Sequence, residues 1–186
     1  GDGTSADAVP RRCIAWKLAL GEGGGHYPED LFYQWGGKPI REIIADLNRM
    51  QGLSMPVEEV AHRKESLYYE LLPKLTAVPE VLHEIESAHG RIPFAVVSGS
   101  TRESVVKSLE VLHLLDKFDL LVCAGEYIRA KPAPDPFLMA AQKLGVAPEK
   151  CLVFEDTDLG IEAAKAEGKA WVRILQPWER VLTPKP

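Results

Sequence analysis

Up to about residue 74 the apolar residues recur at helical spacing, and beyond it short apolar runs alternate with longer amphipathic stretches. Trp16, Leu18 and Leu20 sit in a first helical segment that stops at Gly21-Glu22-Gly23-Gly24-Gly25, a helix stop and flexible corner. A second short helix is predicted near Pro28-Glu29-Asp30. A third runs from about 40 to 50, with Ile43, Ile44 and Leu47 on one face. A fourth opens at Pro56, with Glu58 and Glu59 in its first turn where acids suit the helix dipole. No strand signal interrupts residues 10–73, so this region reads as a helical insert. From residue 74 the pattern predicts helices over 78–88, 102–115, 136–144 and 160–167. Strands are predicted over 93–97, 118–123, 151–154 and 170–174. Strands alternating with helices of this length predict an α/β fold with a parallel sheet and right-handed crossovers.

Composition narrows the functional classes. The 186 residues carry a net charge of −5, which argues against nonspecific binding to nucleic acid or an anionic membrane. No apolar stretch approaches the ~20 residues of a membrane span, and no secretory pattern precedes the first helix. Cys13, Cys123 and Cys151 are too widely spaced for a metal-ligand pattern, and a reducing cytoplasm is the expected compartment. Cys123 and Cys151 lie in apolar runs and are expected to be buried. His26, His62, His83, His89 and His113 give no metal-binding signal. Gly1-Asp2-Gly3-Thr4 is turn chemistry with no element before it, so the chain reads as a fragment.

Chemistry-capable residues gather after three of the strands, where ligands of open α/β sheets bind. Val96-Val97 runs into Ser98-Gly99-Ser100-Thr101, whose small hydroxyls and following helix N-terminus could seat an oxyanion or phosphate, or simply cap the helix. The second connection, Arg129-Ala130-Lys131-Pro132-Ala133-Pro134-Asp135-Pro136, fixes an extended path through its prolines and limits where Lys131 can point. A compact ammonium held there can neutralise phosphate or clustered carboxylates. The third places Glu155 and Asp156 at a strand end; paired acids there suit Mg²⁺ or, more plainly, a helix start. Asp2 adds a carboxylate in a tight turn. A hydroxyl, a lysine and carboxylates converging on one sheet edge, with a metal, form a phosphoryl-transfer toolkit.

With these residues in place, nearly the whole chain resembles the haloacid dehalogenase superfamily, nearest to its sugar-phosphate phosphatases and β-phosphoglucomutase-like members. Asp2-Gly3-Thr4 is similar to the end of the first motif, D-x-D-G-T, and Ser98-Gly99-Ser100 to the second. Lys131-Pro132-Ala133-Pro134-Asp135 and Glu155-Asp156 resemble the third and fourth. The ordered set is specific where no single motif would be. The resemblance implies a Rossmann-like core, residues 76–186 with 1–5, and a helical cap over 6–75. Trp16 and the Gly36-Gly37-Lys38-Pro39 turn resemble cap features of fructose-1-phosphatase-like members.

The implied activity is Mg²⁺-dependent hydrolysis of a small phosphorylated metabolite through an aspartyl-phosphate. Asp2 would be the general acid/base, its carbonyl also reaching the metal. Ser98 would bind the transferring phosphoryl group in a seat completed by Gly99 and Ser100. Lys131 would balance its charge, and Asp156 with Glu155 would hold Mg²⁺. Lys38 and Arg41 are the expected cap contacts to the substrate. The nucleophile would fall one position before Gly1, and the central strand of the sheet before that. The expected explanation is truncation of an active enzyme; a β-phosphoglucomutase or an inactive homologue are the alternatives. Val9 and Arg12 stand where many members carry a glutamate and a histidine.

Overall fold

A computed structural model describes residues 4, 6, 8–166 and 168–175. The expectations for Asp2 and for the C-terminal tail with Trp178 lie outside the described residues. The helical part comprises α1 (Val9–Glu22), α2 (Glu29–Gln34), α3 (Ile40–Gln51) and α4 (Val57–Leu71). On α1, Trp16 and Leu20 are buried one turn apart, whereas Leu18, half a turn away, is exposed. α3 buries Ile40, Ile43, Ile44 and Leu47 on one face. It stops at Gly52, whose φ of 64° places it in the left-handed region that ends helices. These faces meet in one core that runs from Ala6 to Leu75 in sequence. Trp16 packs edge-on to Tyr27 at 5.3 Å, and Tyr27 edge-on to Phe32 at 5.5 Å.

The remainder alternates α5 (Pro79–Ala88), β1 (Ala95–Val97), α6 (Arg102–Val111), β2 (Leu120–Val122), α7 (Asp135–Leu144), β3 (Leu152–Glu155), α8 (Asp158–Lys165) and β4 (Ala170–Arg173). The strands pair in parallel, β1 with β2 (Val96 opposite Leu121) and β3 with β4 (Val153 opposite Trp171). Among the described residues no strand joins the two pairs. An apolar cavity of about 500 Å³ lies between β1 and β3, lined by Val81, Ile85, Phe94, Val97, Phe137 and Val153.

Several elements are shorter than the sequence predicts. Pro93 has no N–H for a ladder, and the Phe94 N–H goes to the Asp119 carboxylate at 2.8 Å. The Cys123 N–H goes to Glu126 at 3.1 Å, which ends β2 early. The helix predicted over 102–115 stops at Val111, because His113 adopts a φ of 55° and a 3₁₀ turn, Leu115–Lys117, follows. Cys123 is buried, but Cys151 is only half-buried: it precedes β3, with its thiol 3.6 Å from the Ala147 carbonyl.

The chain crosses between the two parts twice, and an antiparallel bridge between Ala6 and Ala77 ties the crossings together. Arg11 adds a hydrogen bond to the Lys74 carbonyl. Among the described residues no helix is long and apolar enough to cross a membrane.

Candidate active site

The C-terminal ends of β1 and β3 carry the chemistry. After β1, the Ser98 N–H continues the ladder to the Val122 carbonyl at 2.9 Å. The Ser98 hydroxyl then accepts the Ser100 N–H at 3.0 Å, which curls the loop into a turn. Helix capping belongs to Thr101, whose hydroxyl accepts the Ser104 N–H at 3.3 Å. Ser98 and Ser100 line the pocket instead.

Gly99 is required by close approach. A Cβ there would fall 2.3 Å from the Gly37 carbonyl oxygen. Gly37 itself has a φ of 90°, open to glycine but strained for other residues. A Cβ on neighbouring Gly36 would lie 2.9 Å from the Thr157 methyl. The Gly36-Gly37 turn of the helical part thus rests directly on the loops after β1 and β3.

Lys131 reaches the site from the proline-stiffened connection before α7. Its buried ammonium donates to the Val97 carbonyl at 3.3 Å and to Glu155 Oε1. Glu155 Oε2 accepts three further bonds: the Asp156 and Thr157 N–H groups, each at 3.0 Å, and the Thr157 hydroxyl at 2.9 Å. The carboxylate lies over the first turn of α8, where a Cβ on Gly160 would fall 2.0 Å from Glu155 Cδ. Gly160 therefore makes the room in which Glu155 sits. Burial pushes the Glu155 pKa up, but the Lys131 charge and these donors outweigh it and hold the group down at about 2. Asp156 is buried beside it and accepts the Thr4 hydroxyl at 2.6 Å. Burial first, and the Glu155 charge second, raise its pKa.

Ser98, Gly99, Ser100, Lys131, Glu155 and Asp156 line one pocket of about 430 Å³, within the range of small-molecule sites. Its other wall comes from the helical part, including Trp16, Tyr27, Trp35 and Lys38. Lys38 pairs with Asp46 and lies 4.6 Å over the Trp35 ring. Arg41 does not reach the pocket. It is exposed and forms two 2.7 Å bonds to Glu58, linking α3 to α4 on the surface.

Two cations of this wall, Arg12 and Lys64, were not expected as site residues. Lys64 had a legible signal: it falls in the buried register of α4 with Val60, Ala61, Leu67 and Tyr68, where a lysine is out of place. Arg12 stood out only as a departure from the motif pattern.

The donor set bears on a metal. Glu155 has both oxygens in hydrogen bonds, so of this pair Asp156 is the carboxylate that remains for one. With Lys131 counted, the buried trio carries one net negative charge, which suits a hard divalent cation. Among the described residues no three His, Cys, Asp or Glu side chains cluster as a metal site.

The comparisons with known proteins agree with this geometry. Residues 2–174 match the haloacid dehalogenase-like hydrolase family. The chain belongs to the haloacid dehalogenase-like hydrolases. Among the relatives of this family member is the fructose-1-phosphate phosphatase YqaB of Escherichia coli, 36% identical over 168 residues covering 90% of this chain and 89% of that protein. A phosphorylated carbohydrates phosphatase of Thermotoga maritima is 31% identical, over 90% of this chain and 78% of its own. A hydrolase from Pseudomonas syringae superimposes with a TM-score of 0.81 at 25% identity, over 94% and 82% of the two chains. The architecture of this haloacid dehalogenase-like hydrolase is the α/β, Rossmann-like sheet with a helical cap that its motifs imply.

Proposed function

We propose that this haloacid dehalogenase-like hydrolase removes phosphate from small sugar phosphates with the help of Mg²⁺. The observation that carries the reading is the convergence of Ser98, Lys131 and Asp156 on one pocket, roofed by the helical part. The Ser98 loop offers hydroxyls to the oxygens of a phosphoryl group. Lys131, held by Glu155 and the Val97 carbonyl, offers a fixed positive charge to the same group. Charge neutralisation of this kind is most of what phosphoryl transfer asks of a protein. Asp156 would hold Mg²⁺, oriented by the Thr4 hydroxyl. When bound, the ion would supply further neutralisation of the phosphate oxygens. Glu155 acts as a positioning residue, setting both Lys131 and the start of α8.

Residues 6–75 act in this reading as the cap. Its aromatic wall of Trp16, Tyr27 and Trp35 offers apolar faces to a sugar ring. The covalent part of the cycle, an aspartyl-phosphate formed and then hydrolysed with Asp2 as acid and base, rests on the motif resemblance. Support would come from Mg²⁺-dependent phosphate release from a panel of sugar phosphates by the full-length protein. No release from any member defeats the proposal. Conversion of β-glucose 1-phosphate to glucose 6-phosphate without net phosphate release replaces it with mutase activity.

A further inference from the structure

Thr157 stands where the two walls of the pocket meet. It precedes α8 and caps it: its hydroxyl accepts the Gly160 N–H at 3.1 Å. The same hydroxyl donates to Glu155 Oε2 at 2.9 Å, beside the Thr157 N–H at 3.0 Å. Glu155 in turn holds the Lys131 ammonium through its other oxygen. On the opposite side, the Thr157 methyl is what a Cβ on Gly36 would strike, at 2.9 Å. A Cβ on Gly37 would come within 3.7 Å of the Thr157 hydroxyl and 3.6 Å of Lys131 Cδ. The turn from the helical part therefore rests on Thr157 and on the stem of the lysine that Thr157 helps to place.

Capping alone does not ask for a threonine here. An N-cap needs one acceptor oxygen, which serine supplies. Filling the space under Gly36 needs only a methyl, which valine supplies. Threonine carries both groups on one carbon, and its β-branching stiffens χ1. Two hydrogen bonds fix where the hydroxyl points, and with it where the methyl points. The position of Glu155 and the seat of the Gly36-Gly37 turn are thus set by a single rotamer.

We infer that Thr157 is a positioning residue acting on both walls: its hydroxyl holds Glu155, and through it Lys131, in place for the phosphoryl group, while its methyl seats the Gly36-Gly37 turn of the cap over the pocket. The hydroxyl half rests on the phosphatase reading, since it assumes a phosphoryl group at Lys131; the methyl half does not.

In the full-length protein with Mg²⁺ present, two measurements separate the two halves. Affinity for inorganic phosphate, by titration calorimetry, reads the Lys131 end. Amide hydrogen exchange over residues 35–39, by mass spectrometry, reads the turn, whose Lys38 N–H bonds the Trp35 carbonyl at 3.0 Å. Thr157→Val keeps a methyl toward the cap and sets another where the hydroxyl stood. A carbon cannot approach the carboxylate oxygen to the 2.9 Å of that hydrogen bond, so Glu155 is displaced. Phosphate affinity should fall at least about fivefold, with exchange at the turn within about twofold of the unmodified protein. Thr157→Ser should do the reverse, with phosphate affinity within about twofold and exchange at the turn at least about threefold faster. Should Thr157→Val fail to fold, Thr157→Ala takes its place: it loses both groups and should show both effects, with phosphate affinity restored in Thr157→Ser. Parallel losses in the valine and serine variants, or either readout unmoved in both, overturn the proposal and reduce Thr157 to a helix cap. Phosphate release from sugar phosphates by the unmodified protein judges the phosphatase reading separately. Release without the split defeats the Thr157 proposal alone; absence of both release and phosphate binding defeats the two together.

Discussion

Lys131–Glu155 and Lys64–Glu65 are lysine–carboxylate pairs on opposite walls of the same pocket, the first buried and the second partly so, and they are built in different ways. The first joins residues 24 apart in the chain, between the connection before α7 and the end of β3. Its carboxylate is saturated, with the second oxygen bound by three donors from the start of α8. The second pair joins sequence neighbours on one helix, and the nearby Arg12 charge also lowers the pKa of its carboxylate. A long-range pair with every acceptor filled fixes geometry. A local pair joins neighbours within one helix and ties no distant elements together. The sheet-side pair therefore fixes how separate elements meet, whereas the cap-side pair is a local feature of α4.

Breaking the long-range pair should have the largest effect. Glu155→Ala strands a buried ammonium and should cost about 3–5 kcal/mol in urea unfolding. A loss under about 1 kcal/mol would mean that Lys131 escapes to water and that the pair organises nothing. Next is Gly160→Ala. An exposed helix glycine changed to alanine usually gains about 1 kcal/mol. Here the new methyl meets the Glu155 carboxylate, so a loss of about 1–3 kcal/mol is expected from calorimetric melting.

Acid should separate the two pairs further. Both glutamates sit below their usual pKa, so the stability each contributes is present above the unfolded value of about 4.5 and is lost as the pH falls. For Glu155 the loss extends down to about pH 2. Asp156, shifted upward, works in the opposite direction, favouring the folded state as it protonates. Thermal melts of metal-free protein between about pH 6 and pH 3 should fall steadily, and Glu155→Gln should flatten the slope. An unchanged slope in that variant would assign the acid sensitivity elsewhere.

Smaller still is Tyr68→Phe, which removes a 3.1 Å hydroxyl contact with Ser108 between the helical part and α6. It should cost about 1 kcal/mol by denaturant unfolding. Arg41→Ala should be smallest, within about 0.5 kcal/mol, with unchanged sugar-phosphate affinity, since its partner Glu58 is as exposed as it is. A marked loss of affinity would restore Arg41 to the site.

The sheet side was the legible side. Each of its groups follows an apolar strand, and strand ends in an open α/β sheet converge whatever the loop details. Period likewise placed the helices: the α3 face of Ile43, Ile44 and Leu47 is where the spacing puts it. The distribution of tasks within the Glu155-Asp156 pair was not legible. It depends on which carboxylate folds back over α8, and that is settled by the space at Gly160. The cap wall was harder again, because helix spacing tells which residues share a face but not which neighbour a long side chain chooses. Arg41 took a surface glutamate, while Lys64 kept a core position its charge would ordinarily forbid. Strands β1 and β2 are shorter than their apolar runs because side chains, Asp119 and Glu126, capture N–H groups the ladder would have used.

The pairing of Ala6 with Ala77 has a consequence for exchange between relatives. A segment whose two ends lie side by side can be excised or replaced at little loop-closure cost to the remainder. The stretch between these alanines thus has the form of a cassette, entered and left through one doorway. Exchanging that cassette would leave Ser98, Lys131 and Asp156 on the part that stays, while the close approach of Gly37 to Gly99 would have to be rebuilt.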